Sequence, residues 1–162
     1  AMAEAIGMAR AAGRKVAFTL SDSFVVALHG DDFRRMSDAG EIDILFANEA
    51  EITALAGTED FDAAVKAVAA KVPLLIATRG EHGACAVENG VVTHVAAEPI
   101  DKVIDTTGAG DLFAAGVLTG LAEGRPIADC LTMGAVCARA IIAQVGPRAQ
   151  DDLRALVDAK LG

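Results

Sequence analysis

The sequence predicts an α/β fold with a largely parallel sheet, and two observations carry that prediction. The apolar runs Val16-Ala17-Phe18-Thr19-Leu20, Ile42-Asp43-Ile44-Leu45-Phe46 and Leu74-Leu75-Ile76-Ala77-Thr78 are too short for helices, and they alternate with segments of helical periodicity. The third run is apolar at every position but its last, as befits a strand covered on both faces. In addition, Asn89-Gly90 separates two further strand-like runs, residues 84–87 and 91–95, which adds a β-hairpin.

The elements follow in order. Residues 1–12 are alanine-rich and read as a helix stopped by Gly13. Residues 16–20 read as a short buried strand, and residues 21–23 as a loop at its carboxyl end. Residues 24–36 form a second helix, interrupted in composition by Gly30. Residues 42–46 are the next strand. Residues 48–56 make a short helix that Gly57 ends. Phe61, Ala64, Val65, Val68, Ala69 and Val72 form an i, i+3, i+4, i+7 stripe, so a helix precedes Pro73. After the third strand and the hairpin, Phe113, Val117, Gly120 and Leu121 place a helix that starts near Gly108 and ends at Gly124. Pro126 opens another, with Ile127, Leu131, Ala135, Ala138 and Ile142 on its inner face. Gly146-Pro147 breaks it. Leu153, Leu156, Val157 and Leu161 mark a last short helix. There is no internal repeat.

Composition narrows the function. The chain has 162 residues, enough for one sizeable core, and carries a net charge of −9. A surplus of acid argues against nucleic acid as a partner, because phosphates are neutralised by Lys and Arg. It does not exclude ATP, which binds through a few local donors and travels with magnesium. No apolar run has the length of a membrane span, and the first residues lack a signal-peptide pattern. Cys85, Cys130 and Cys137 form no Cys-x-x-Cys pair. On one helix, Cys130 and Cys137 would lie about 10 Å apart along the axis, too far to bridge. Buried thiols of a cytoplasmic protein are the expectation.

The stretch Asp105-Thr106-Thr107-Gly108-Ala109-Gly110-Asp111 carries the chemistry. A helix that starts here points its first free N–H groups outward at its positive end. Glycines let an anion approach those groups closely. Asp111 would be a carboxylate in the first turn, beside a site built for negative charge. A base next to an anion hole is what transfer of a phosphoryl group to an alcohol requires. The other loops at strand carboxyl ends hold residues 21–23, 48–51 and 78–83, where ligands of open α/β sheets bind.

The seven-residue string resembles the signature of the ribokinase-like (PfkB) carbohydrate and nucleoside kinases, and residues 105–121 resemble the adenosine-kinase-like branch. The resemblance implies a three-layer α/β/α fold and an ATP-dependent phosphotransferase acting on a hydroxyl of a sugar or nucleoside. In it Asp111 would be the general base, and the amides of Gly108, Ala109, Gly110 and Asp111 the anion hole. Asn48-Glu49-Ala50-Glu51 is similar to the family's Asn-x-x-Glu element, which implies that Asn48 and Glu51 help to place Mg²⁺ and phosphate. The same pair also has the spacing of a helix capping box. Thr78, Gly80 and Gly83 resemble the family's loop over the nucleotide, and are equally the turn before the hairpin. By the same analogy Met133, Gly134 and Cys137 face adenine, or belong to an ordinary packed helix. Asp105 and Thr107 would hold a monovalent cation, K⁺, with carbonyls of residues 145–148, or Asp105 simply ends a strand and caps the turn. Ser21-Asp22-Ser23-Phe24 departs from the strand end common in sugar-specific members and leaves the acceptor open. There is no Gly-x-x-x-x-Gly-Lys-Ser/Thr, so the P-loop class is excluded.

The first helix has no strand before it, and the resemblance covers the carboxyl half of such kinases. The expectation is therefore a carboxyl-terminal ATP-binding and catalytic portion, residues 1–162, lacking the amino-terminal half and its lid. It would be inactive by itself, with an exposed sheet edge open to a second copy. A non-catalytic nucleotide-binding module is the alternative.

Overall fold

The computed structural model describes residues 2–162; Ala1, part of the expected first helix, lies outside the described residues. The elements run α1 (Met2–Ala11), β1 (Ala17–Thr19), α2 (Ser23–Asp38), β2 (Ile44–Asn48), α3 (Glu49–Ala56), α4 (Phe61–Ala69), β3 (Leu74–Thr78), a 3-10 turn (Gly80–His82), β4 (Ala84–Glu88), β5 (Val91–Val95), α5 (Ala109–Ala122), α6 (Ile127–Ile142) and α7 (Leu153–Leu161). Two compact units arise, Ala1–Thr78 with Ala86–Val92, and Arg79–Cys85 with Thr93–Gly162.

In the first unit the strands β1, β2 and β3 are parallel, with Ala17 opposite Ile44 and Ile44 opposite Leu74. The first four residues of β2 and of β3 are all buried, which explains their unbroken apolar sequence. Leu20, Ile42, Leu45, Ile52, Leu75 and Ile76 are almost wholly excluded from water and form the heart of this unit. Side chains fix the helix starts. Asp22 accepts the Phe24 N–H at 2.7 Å at the head of α2, and Asp60 accepts the Ala63 N–H at 3.0 Å at the head of α4. Gly57 closes α3 at φ 70, a conformation that glycine adopts freely.

Several boundaries differ from those expected. Ile42 and Asp43 lie outside β2, although the Asp43 N–H still donates to the Val16 carbonyl at 2.9 Å; the Asp43 carboxylate accepts the Val16 N–H at 2.6 Å and Arg10 at 3.1 Å. Helix α2 extends to Asp38, since the Ala39 N–H still reaches the Arg35 carbonyl at 2.9 Å. Helix α4 ends at Ala69, yet Val72 stays buried. The sheet is mixed, in the order β1-β2-β3-β4-β5. Its hairpin turns at Asn89 (φ 52) and Gly90 (φ 78), as a type I′ turn demands. Strand β1 is a sheet edge with Ala17 and Thr19 exposed.

In the second unit α5 and α6 pack with backbone nearly touching backbone. A Cβ on Gly116 would lie 2.7 Å from the Met133 carbonyl oxygen, and one on Gly134 would lie 2.8 Å from the Phe113 carbonyl oxygen. Only hydrogen fits at either place. Helix α7 then covers α6, with Val157 buried against Met133, Val136 and Cys137, flanked by Leu112, Leu153, Leu156 and Leu161. Cys85, Cys130 and Cys137 are buried, as expected. No helix among the described residues is long and apolar enough to cross a membrane.

Candidate functional site

The seven-residue string forms a tight entry to α5. Gly108 sits at φ 81 as the residue before the helix, a conformation costly for any other residue. A Cβ there would also lie 2.9 Å from the Pro147 Cβ. The Ala109 N–H turns inward and donates to the Thr106 carbonyl at 3.1 Å. Of the four amides expected to form the anion hole, Ala109's is therefore engaged. Among the described residues, the N–H groups of Gly108, Gly110 and Asp111 meet no acceptor. They sit at the positive end of a 14-residue helix. Asp111 is in the first turn of α5 and exposed.

Asp105 lies just upstream, and its carboxylate is spent on two amides. Oδ1 accepts the Thr107 N–H at 2.9 Å, and Oδ2 accepts the Gly146 N–H at 2.9 Å. These bonds, with that from the Thr107 hydroxyl, hold its carboxyl below the usual carboxylate range. The loop of residues 145–148 thus meets Asp105 through a donor, where carbonyls around a cation were expected.

A second group of residues forms in the first unit, at the carboxyl ends of β2 and β3, where Asn48 and Thr78 are register partners. Asn48 caps α3. Its Oδ1 accepts the Glu51 N–H at 2.9 Å, and Glu51 Oε2 accepts the Asn48 N–H at 2.9 Å. Glu51 Oε1 also accepts from Asn48 Nδ2 at 2.7 Å. The pair is therefore a complete capping box. Glu51 is nonetheless 5 % exposed, more buried than capping requires. Burial pushes its carboxyl up, the Asn48 N–H opposes this, and the Asp22 charge adds to it. A carboxylate held this way suits a cation that brings its own waters and phosphates. Among the described residues no three His, Cys, Asp or Glu side chains cluster as metal ligands.

The loop of residues 79–83 is a 3-10 turn closed by the Arg79 N–H donating to the Gly83 carbonyl at 2.8 Å. Gly80 lies at φ 53 with open space on its Cβ side, so a ligand could approach its backbone. Gly83, at φ 90, has the Val95 carbonyl where a Cβ would be, so its need for glycine is structural. Gly134 and Cys137 are enclosed by α5 and α7 and present packing surface. Sequence reasoning missed Gln144, and it named Asp22 and the 145–148 loop without the influence of Asp22 on Glu51 or the contact of Pro147 with Gly108. A Gly-Pro break signals a loop, and nothing local says what the loop will touch.

The pfkB family carbohydrate kinase pattern matches residues 1–153, so the chain belongs to that family. A cytidine kinase from Thermococcus kodakarensis is 35% identical over 108 residues, covering 65% of this chain and 38% of its own. The adenosine kinase from Sinorhizobium meliloti superposes with a TM-score of 0.94 at 40% identity, over 97% of this chain and 48% of its own. A probable sugar kinase from Rhizobium etli CFN 42 also gives 0.94, at 38% identity, over 98% of this chain and 48% of its own. The chain thus spans about half the length of these structures. The expectation of a match to the carboxyl-terminal half alone is corrected. The family match and the shared fold run along nearly all 162 residues, rather than being confined to a carboxyl-terminal portion.

Proposed function

We propose, for a chain that belongs to the pfkB carbohydrate kinase family, that the turn before α5 works in ATP-dependent phosphoryl transfer to a hydroxyl of a sugar or nucleoside. The observation that carries this reading is the exposed Asp111 carboxylate beside the unengaged amides of Gly108, Gly110 and Asp111. Asp111 takes the proton of the acceptor hydroxyl as its oxygen attacks the γ-phosphorus. The amides stabilise charge on the transferring group, and each such donor is worth about 3 kcal/mol in the transition state. Ala109 serves the turn rather than the phosphate.

Magnesium, bound with the nucleotide, supplies charge neutralisation on the phosphates. Glu51, with Asp22 nearby, is the carboxylate suited to its hydration shell; Asn48 holds Glu51 in place. Thr78 of the first unit and the Gly80 backbone of the second are each read as contacts to phosphate oxygens, as the resemblance implies. Gly83, Gly134 and Cys137 shape the loops and helices behind the nucleotide. Asp105 secures the turn through Thr107 and Gly146, and the K⁺ implied by resemblance would draw on the same Asp105 and Thr107. The homodimer expected from sequence would use the open edge of β1, where Ala17 and Thr19 are exposed.

Calorimetry with Mg-ATP and a transfer assay over sugars and nucleosides, both run on the whole encoded protein, test the reading. Asp111→Asn should leave Mg-ATP affinity nearly intact and lower turnover by at least about 100-fold. Turnover retained in Asp111→Asn would sink the base assignment. Tight Mg-ATP binding with no transfer to any acceptor would favour a nucleotide-binding module instead.

A further inference from the structure

Beyond the turn itself, the loop that follows α6 is closed on itself by one side chain. The Gln144 carboxamide donates through Nε2 to the Arg148 carbonyl and accepts the Gln150 N–H at 3.0 Å through Oε1. A single planar group thus ties both strands of the loop, with Gly146 and Pro147 at its tip. That tip touches the turn before α5 in two ways. The Gly146 N–H donates to Asp105 Oδ2 at 2.9 Å. The Pro147 ring stands where a Gly108 side chain would be, 2.9 Å from that position. Asp105 passes the constraint on, because its other oxygen holds the Thr107 N–H at 2.9 Å. The Ile104 N–H also reaches the Ile142 carbonyl at 2.9 Å, which anchors the turn to the last residue of α6.

We infer that Gln144 is a positioning residue for the amides of Gly108, Gly110 and Asp111, acting through the loop tip at Gly146 and Pro147 and through Asp105. The physical reason is preorganisation. Amides aimed at a phosphate contribute fully only when they need not be reoriented on binding, and a misplacement of about 1 Å can cost roughly 100-fold in rate. Gly108 at φ 81 has no side chain of its own to hold it, so its orientation depends on what packs against it. Gln144 suits the task because its amide offers a donor and an acceptor together; Glu lacks the donor, and Asn lacks the length.

The inference rests on the proposed nucleotide site, and its test separates the two. Amide spectra and hydrogen exchange are recorded on the ¹⁵N-labelled 162-residue chain, without ligand and during titration with Mg-ATP. Gln144→Ala should shift the signals of Thr107, Gly108, Gly110 and Gly146. Exchange at Thr107 and Gly146 should speed up by roughly tenfold, and Mg-ATP affinity should fall by about the same factor, with exchange along α7 unchanged. Gln144→Glu, which keeps only the acceptor, should show the same pattern, and it replaces Gln144→Ala if that variant does not fold. Signals and exchange identical to wild type would overturn the inference, as would uniformly faster exchange through α6 and α7. If wild type does not bind Mg-ATP, the nucleotide reading fails, while the ligand-free spectra still decide the role of Gln144.

Discussion

Gly116→Ala is the sharpest probe of the scaffold behind the turn. The new Cβ would lie 2.7 Å from the Met133 carbonyl oxygen, 2.8 Å from its carbon and 2.9 Å from the Gly134 Cα, against ordinary contact from 3.4 Å. All three atoms are backbone, so no side chain can swing aside. The two helices must part by about 0.7 Å at their closest point. Overpacking of this kind costs about 1–3 kcal/mol, and immovable neighbours put Gly116 at the upper end. Alanine's better helix propensity returns about 1 kcal/mol. The net loss is about 2 kcal/mol, or roughly 4–8 °C in melting temperature for a chain of this size. Gly7→Ala is the matched control. It makes the same change in α1 with nothing within 4 Å of the new Cβ, so only the propensity gain remains. It should raise the melting temperature by up to about 3 °C. Thermal melts of both variants decide the matter. Adding Gly134→Ala to Gly116→Ala should cost less than the sum of the two, because one separation relieves both contacts. A Gly116→Ala protein that melts at or above wild type would refute close backbone packing of α5 on α6.

The remaining expectations concern two carboxylates whose pH dependences run in opposite directions. Asp105 is held below its ordinary range by its bonds to Thr107 and Gly146, so its contribution to stability is whole above about pH 4 and drains away as pH falls further. Asp105→Asn should therefore melt below wild type at pH 7, with the two curves converging in acid; curves that stay parallel would contradict this. Glu51 is raised, chiefly by burial, so folding favours its protonated form. The advantage of wild type over Glu51→Gln should be greatest in acid and should shrink as pH rises through and beyond the ordinary glutamate range. An advantage that grows with pH would show that hydrogen bonding to Asn48 outweighs burial.

What the sequence alone determined is local. The strands at Ile44–Asn48 and Leu74–Thr78 follow from runs of apolar residues. The hairpin follows from Asn89-Gly90, which takes the left-handed turn at little cost. The capping box at Asn48 and Glu51 and the glycine turn before α5 are also rules of a few neighbouring residues. Each could be read because it is decided by backbone conformation within a handful of positions. Tertiary structure decided the rest. Gly116 and Gly134 look like tolerated helix glycines until α5 meets α6 across them. The Asn48–Glu51 pair does not disclose that Glu51 is buried or that Asp22 bears on it. The bond from Gly146 to Asp105 spans 41 positions, and the pyrrolidine of Pro147 over Gly108 spans a similar distance. A contact between such distant positions depends on where two helices carry their loops, and no short stretch of residues encodes that placement.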